Sequence, residues 1–407
     1  MTESSDTIQS HSLDFLVFSD DWGGHKSSCQ HIFGHIAKNH RVLWVNTVGM
    51  RSPTLTATDV RKAVHKLSRM LMWKREIVRE ERPRQFVMVC QPFMLPFGRC
   101  DSIRRLNARS VTRSVRAQLA RTGIERPVIV TTVPNTGDYA DLLGDSLVVY
   151  YCVDDFSLWP GLDAEIVRDM EQRLVARADV ILAASDESYR RLSLSGKPTY
   201  LIPHGVDLAH FSAKVEIEHP VLKTIPEPRV GFFGLIDGRM DQTLVSDVAR
   251  RMPDYSFVFA GPRDATAQNL ATGQNVHFIG QIRYEDLPAL IAGLEVLVIP
   301  YKTGSLANVL SPLKLREYLA TGKPIVSTPI AAARDWAQYV AVASDAEGWM
   351  KTISALIRNG PRATTSDIQL TLSKESWEQR ASTLLNICER AEKDRQADNV
   401  SSVFSAW

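Results

Sequence analysis

The chain has little cysteine, no long apolar run and almost no net charge, and each shortage removes a class of protein. Its five cysteines, Cys29, Cys90, Cys100, Cys152 and Cys388, are odd in number, widely scattered and without metal-ligand spacing. They exclude a disulfide framework and a zinc site and point to reduced thiols in a cytosolic compartment. No apolar run approaches the ~20 residues of a membrane span, and the opening MTESSDTIQSHS is polar, without the basic-then-apolar order of a secretory signal. The cytoplasmic side is therefore the expected location. A formal net charge of +2 with 44% hydrophobic and 23% charged residues belongs to a soluble globular protein. At 407 residues the chain exceeds one ordinary core, so two domains of roughly 200 residues each are expected.

Charge is balanced overall but not locally. From Arg51 to Arg121 there are seventeen Lys or Arg against five acidic residues, an excess of +12. Within that stretch Val64, Leu67, Met70 and Leu71 alternate with Arg61, Lys62, Lys66, Arg69, Lys74 and Arg75, with Trp73 nearby. Such a helix suits an anionic membrane surface, and segment 60–84 is the expected inner-membrane contact; a solvated helix covering the first domain is the plain alternative. No binding motif accompanies the charge, so nucleic acid is not an expected partner.

Short β-branched or aromatic runs recur, each followed by a helical pattern. DFLVFS, RVLWVN, QFVMVC, VIVTTV, LVVYYCV, DVILAAS and TYLIPHG occupy the first half; RVGFFG, SFVFAG, VHFIG, EVLVIPY, KPIVST and YVAVAS follow. Continuous apolar strands alternating with helices mean parallel sheets buried on both faces. Residues 1–208 form the expected first domain, the polar stretch 209–228 with Pro220, Pro226 and Pro228 a linker, and 229–375 the second domain. Residues 376–407 read as a last helix, with Trp377, Leu384, Leu385 and Ile387 on its apolar side, packing across the junction. In open parallel sheets ligands bind beyond the carboxyl ends of strands. Facing strand ends from two domains would define a cleft.

The stretch Ser311 to Thr328, SPLKLREYLATGKPIVST, reads as a nucleotide-sugar site where a loop enters a helix. Pro312 suits a first helical turn, Lys314 and Glu317 are three apart on one face, and Gly322 closes the helix. A cation beside the orphan N–H groups suits a diphosphate, and a carboxylate one turn on can accept both hydroxyls of a ribose. An ordinary amphipathic helix with a surface Lys and Glu is the alternative.

The order GFFG, SFVFAG, VHFIG with YEDLPALI, VLVIPY and PLKLREYLATGKPIVST resembles the nucleotide-binding half of GT-B glycosyltransferases, and HGVD is similar to the segment those enzymes carry before it. SDDW, VVYYCVDDFS and ARADVILAAS resemble the acceptor half of bacterial polysaccharide glycosyltransferases, the teichuronic-acid type and the xanthan-pathway glucuronosyltransferases among them. The implied fold is α/β, GT-B: two Rossmann-like doubly wound domains facing a central cleft. One departure concerns mechanism, because the partner of Glu317 in the group 1 paired-glutamate motif falls on Val309. Retaining and inverting outcomes both stay open.

The resemblance implies that Lys314 neutralises the diphosphate and Glu317 holds the ribose. Arg239 is a second phosphate candidate, Gly234 would admit the donor to the backbone, and Tyr301 and Gln281 would contact the nucleotide. Asn308 and Ser311, flanking the helix entry, complete the donor set. The acceptor's base matches Asp155, with Asp154 next to it; an N-cap pair is the alternative for both. Asp20 and Asp21 are a rival pair, Trp22 could stack on a sugar or pack in its loop, and His204 is a further acceptor-side candidate. Neither Asp-Asp pair has the Asp-x-Asp form of metal-dependent sugar transferases, so no metal or other cofactor is expected. His25, His31 and His35 share a helical spacing that invites a metal, with a polar helix face the alternative.

The function so implied is transfer of a sugar from a nucleoside diphosphate to a lipid-linked saccharide acceptor in exopolysaccharide or cell-surface polysaccharide biosynthesis. A sugar-nucleotide 2-epimerase of the same fold and a non-catalytic nucleotide-sugar-binding module are the competing classes.

Overall fold

The structure, a computed structural model, describes residues 13–23, 26–47, 86–95, 100–159, 162–267, 270, 273–304 and 313–404. Segment 60–84, His25, Asn308, Val309 and Ser311 lie outside the described residues. The chain divides into two compact units, residues 1–202 with 381–407 and residues 203–380.

The first unit is built on seven strands: β1 (Phe15–Ser19), β2 (Val42–Asn46), β3 (Val87–Cys90), β4 (Val128–Thr131), β5 (Val148–Cys152), β6 (Val180–Ala183) and β7 (Thr199–Leu201). They lie in the order β3-β2-β1-β4-β5-β6-β7, every pair parallel. Phe15, Leu16, Val17 and Phe18 on β1 are all fully buried, as they must be where helices cover both faces. The second unit carries β8 (Arg229–Phe233), β9 (Ser256–Ala260), β10 (Val276–Gly280), β11 (Val296–Ile299), β12 (Ile325–Ser327) and β13 (Ala341–Val342). Their order is β10-β9-β8-β11-β12-β13, again all parallel. Each of the thirteen apolar runs in the sequence is a strand.

Both sheets reverse winding direction once. The switch lies between β1 and β4 in the first and between β8 and β11 in the second, and side chains at those strand ends are the ones a ligand can reach.

One expected boundary is corrected. The stretch 209–228 belongs to the second unit: Phe211, Leu222 and Ile225 are buried in its core. Its own carbonyls hold it there, since the buried Arg229 guanidinium donates to Ile225, Leu222 and Gly293 and lies 2.7 Å from Glu218. The polar, proline-rich composition hid the few apolar residues that anchor it. At the other end, the helix Trp377–Phe404 begins in the second unit and is grouped with the first from Ala381 onward. Its first residue, Trp377, packs over Gly205, where an added Cβ would meet the indole at 2.7 Å. Val206 also pairs with Ser376 in an isolated parallel bridge.

Candidate functional site

The second unit's switch point is assembled from glycines, aromatics and one cation. β8, β9 and β10 end on Gly234, Gly261 and Gly280, with φ of 131°, 143° and 74°, a region L side chains avoid. The backbone explains the demand: a Cβ on Gly261 would lie 1.9 Å from the Gly234 carbonyl oxygen. Gly261 N–H in turn donates to the Gly280 carbonyl at 2.7 Å, and Gly234 N–H to Ala260 at 2.8 Å. Because the Gly234 amide is already used, what that glycine offers is space.

Lys314 occupies that space. It stands on the helix Leu313–Thr321, and a Cβ at Gly234 would meet its Cε at 2.7 Å and its Nζ at 3.0 Å. Nζ donates to the Tyr301 hydroxyl at 2.9 Å and lies 5.3 Å from the Phe232 ring and 5.5 Å from the Tyr301 ring. Aromatic faces attract the ammonium without neutralising it. Tyr301 is itself fixed, fully buried at the end of β11 with its carbonyl accepting from Thr328 Oγ1 at 2.6 Å. A positive charge is thus braced where a strand end and a glycine leave room.

One turn on, Glu317 is part-buried, and no hydrogen-bond donor reaches its carboxylate among the described residues. Burial pushes its carboxyl up to about 7, against the lowering influence of Lys314. Tyr284 lies close by: burial raises its hydroxyl, and the charges of Asp207, Glu317 and Glu285 add to the effect. The other side of the Lys314 helix faces inward, with Leu315 and Tyr318 in the core and the Tyr318 hydroxyl accepting from Phe233 N–H at 3.0 Å. Arg316 points to Glu375 at 2.6 Å. The two proposed ligand contacts therefore share a face that their neighbours do not.

Arg239 follows the glycine loop, but its charge is engaged. Nε lies 3.1 and 3.0 Å from the two oxygens of the buried Asp237, and the guanidinium sits 5.7 Å from the Tyr301 ring. It lends positive potential beside Lys314 while its fork is tied to Asp237. Gln281 is exposed directly after Gly280.

At the first unit's switch point, the loop after β1 folds on itself. Asp20 accepts from Ser19 Oγ and Ser27 Oγ at 2.8 Å and from Gln30 Nε2 at 2.5 Å. Burial raises its carboxyl and those three donors oppose the rise. Gln30 also donates to the Asp21 carbonyl, and Trp22 packs edge-on against Trp44 at 4.7 Å while its backbone N–H donates to Asn46 Oδ1. Trp22 is thus packed within its loop. Ser19 and Thr132, at the ends of β1 and β4, share a hydrogen bond of 2.8 Å, and Asn46 donates to Gln91 at 3.1 Å. None of Asn46, Gln91 and Thr132 was expected; their only sequence signal is a polar residue closing an apolar strand.

Asp155, after β5, takes the capping geometry: Oδ1 accepts from Ser157 N–H at 3.0 Å and Ser157 Oγ at 2.6 Å. Its Oδ2 lies 3.9 Å from Arg191 Nε, and Arg191 is held by Glu171 at 2.5 and 3.0 Å. Glu171 accepts in addition from the buried Tyr150 hydroxyl at 2.7 Å. Asp154 is part-buried beside it, and its carbonyl lies 3.5 Å from the Cys152 thiol. His204 is buried in the second unit, next to Gly205 under Trp377. His31 and His35 lie on the helix Ser28–Ile36, where His35 meets Lys38 at 3.4 Å.

Residues 228–359 match the family described as "Glycosyl transferases group 1". A "Putative teichuronic acid biosynthesis glycosyltransferase TuaH" of Bacillus subtilis is 27% identical over 224 residues, half of this chain. That match spans 56% of the relative's length. Among solved structures, Anabaena HepE in complex with UDP superposes with a TM-score of 0.63 at 14% identity, covering 92% of this chain and 99% of that one. Sucrose-phosphate synthase from Thermosynechococcus elongatus superposes with a TM-score of 0.62 at 16% identity, covering 97% and 100%. The chain has the GT-B fold of two Rossmann-like domains on parallel sheets, and its residues 228–359 are similar to group 1 glycosyltransferases.

Proposed function

We propose that the protein is a glycosyltransferase that moves a sugar from a nucleoside diphosphate sugar to a lipid-linked saccharide in cell-surface polysaccharide biosynthesis. The observation that carries this reading is Lys314 braced between Gly234, Phe232 and Tyr301 at a strand end, one turn from the part-buried Glu317. Lys314 stabilises the diphosphate as negative charge develops on its leaving oxygen, and the Glu317 carboxylate accepts the ribose hydroxyls. The UDP in the HepE complex supports uracil as the base. The teichuronic acid relative supports a cell-surface polymer as the product.

In the transfer, the bond from the anomeric carbon to the diphosphate oxygen breaks, and the diphosphate leaves with the electron pair. The acceptor oxygen bonds to the anomeric carbon and loses its proton to a base. Asp155 is the proposed base, with Oδ2 the receiving oxygen because Oδ1 is engaged by Ser157. Association with the inner membrane face, through segment 60–84, belongs to the same proposal.

The test is incubation of the full chain with a panel of sugar nucleotides, with and without saccharide acceptors, following nucleoside diphosphate release. Acceptor-stimulated release from one donor supports transfer. An isomerised sugar nucleotide without release makes the protein an epimerase, and binding with neither product makes it a non-catalytic module.

A further inference from the structure

The helix Asp101–Thr122 has two unlike faces. Ala108, Val111, Thr112 and Val115 are buried, and Arg104 turns inward to Asp138 at 2.5 Å and Asp169 at 3.2 Å. On the outer face Arg105, Arg109, Arg113 and Arg116 follow one another at spacings of four, four and three residues and are all exposed. That spacing keeps them within one narrow stripe, roughly 16 Å long at ~1.5 Å per residue. Asp101 is the helix's one acidic residue. Among the described residues, no carboxylate pairs with any of the four. Arg105 and Arg116 reach only the carbonyls of Asp101 and Leu142.

Apolar side chains stand beside this charge. Leu106, between Arg105 and Arg109, is 49% exposed, and Leu142, whose carbonyl Arg116 grips, is 44% exposed. A linear row of unpaired cations flanked by exposed leucines fits a surface that is flat, anionic and apolar just below. An acidic protein would more often be met by cations interleaved with acceptors that fix register, which this face lacks.

We propose that the outer face of the helix Asp101–Thr122 docks the first unit on an anionic lipid bilayer through Arg105, Arg109, Arg113 and Arg116. The surface is separate from segment 60–84. It draws on the lipid-linked acceptor reading only for its purpose, because lipid binding and donor turnover are measured independently.

The experiment is flotation of the full chain with phosphatidylcholine vesicles and with vesicles containing phosphatidylglycerol, at low salt and at roughly 1 M salt. The wild type should float only with the anionic vesicles and only at low salt. At ~1 kcal/mol per arginine near the surface, R109Q/R113Q should partition about 30-fold more weakly and the fourfold Arg→Gln variant about 1000-fold more weakly, keeping only the binding that segment 60–84 supplies. Glutamine keeps helix propensity, so circular dichroism should be unchanged. Nucleoside diphosphate release from a soluble donor should also be unchanged, and its absence in the wild type would sink the functional reading without touching this one. No flotation of the wild type overturns the proposal, as does flotation undiminished in the fourfold variant or lost only when segment 60–84 is neutralised. Retention on immobilised heparin or RNA without vesicle binding assigns the stripe to another polyanion and overturns it too.

Discussion

Replacing Glu317 by glutamine should have opposite effects on stability and on donor binding, and pH should separate them. The group's ordinary value is 4.5, and burial raises it to about 7 in the folded chain. Between those values the folded state holds a proton that the unfolded state has released, so stability is full below about pH 4.5 and falls as pH rises toward 7. A shift of this size at ~1.4 kcal/mol per unit gives an upper bound of about 3 kcal/mol lost by pH 8. Glu317→Gln removes the titration. It should match the wild type near pH 4.5 and exceed it by up to about 3 kcal/mol at pH 8 in urea unfolding. Donor affinity should move the other way: charge-assisted bonds to ribose hydroxyls are worth about 1.5–3 kcal/mol, so Kd at pH 8 should rise roughly 10- to 100-fold. A variant less stable than the wild type at pH 8, or a stability difference independent of pH, would refute the burial argument. Unchanged nucleotide affinity would refute the ribose contact.

Three further outcomes test neighbouring parts of the account. Gly261→Ala sets a Cβ 1.9 Å from the Gly234 carbonyl, a backbone atom that cannot rotate away, and should cost at least ~3 kcal/mol by thermal or urea unfolding. Gly280→Ala, with nothing within 4 Å of its Cβ but a φ of 74°, should cost only ~1 kcal/mol. In Asp155→Asn the amide oxygen can still accept from Ser157, so the melting temperature should hardly move while transfer falls by ~100-fold or more at unchanged donor Kd. Transfer within tenfold of the wild type would make Asp155 a cap alone. Arginine-to-glutamine changes on the helix Asp101–Thr122 should weaken vesicle binding and spare donor turnover, read by flotation beside a release assay.

The sheets were legible because a parallel strand covered on both faces has to be apolar along its whole length. VLWV and VVYYC carry that signal at every position, and both are fully buried. The donor site was partly legible for the same reason: Lys314 and Glu317 stand out as charges on a helix whose Leu315, Tyr318, Leu319 and Ala320 serve the core. Gly261 and Gly280 were also visible, as the final glycines of SFVFAG and VHFIG, yet their role depends on backbone approaching backbone, which no single strand encodes. Residues 209–228 misread as a linker because three apolar residues and the buried Arg229 decide its placement, against a polar average. At Asp155 and Asp20 the sequence offered two carboxylates after strands. Only their donors, Ser157 for one and Ser19, Ser27 and Gln30 for the other, reveal how much of each is already committed to its own loop.

The central claim is that the switch point between β8 and β11 binds a nucleoside diphosphate through Lys314. Isothermal titration of UDP into the full chain and into Lys314→Ala tests it most directly. The account predicts saturable binding that weakens at least ~10-fold in the variant, the loss expected for one hydrogen bond between charged groups. Equal affinity in the two proteins, or no heat with UDP or any other nucleoside diphosphate, would contradict it.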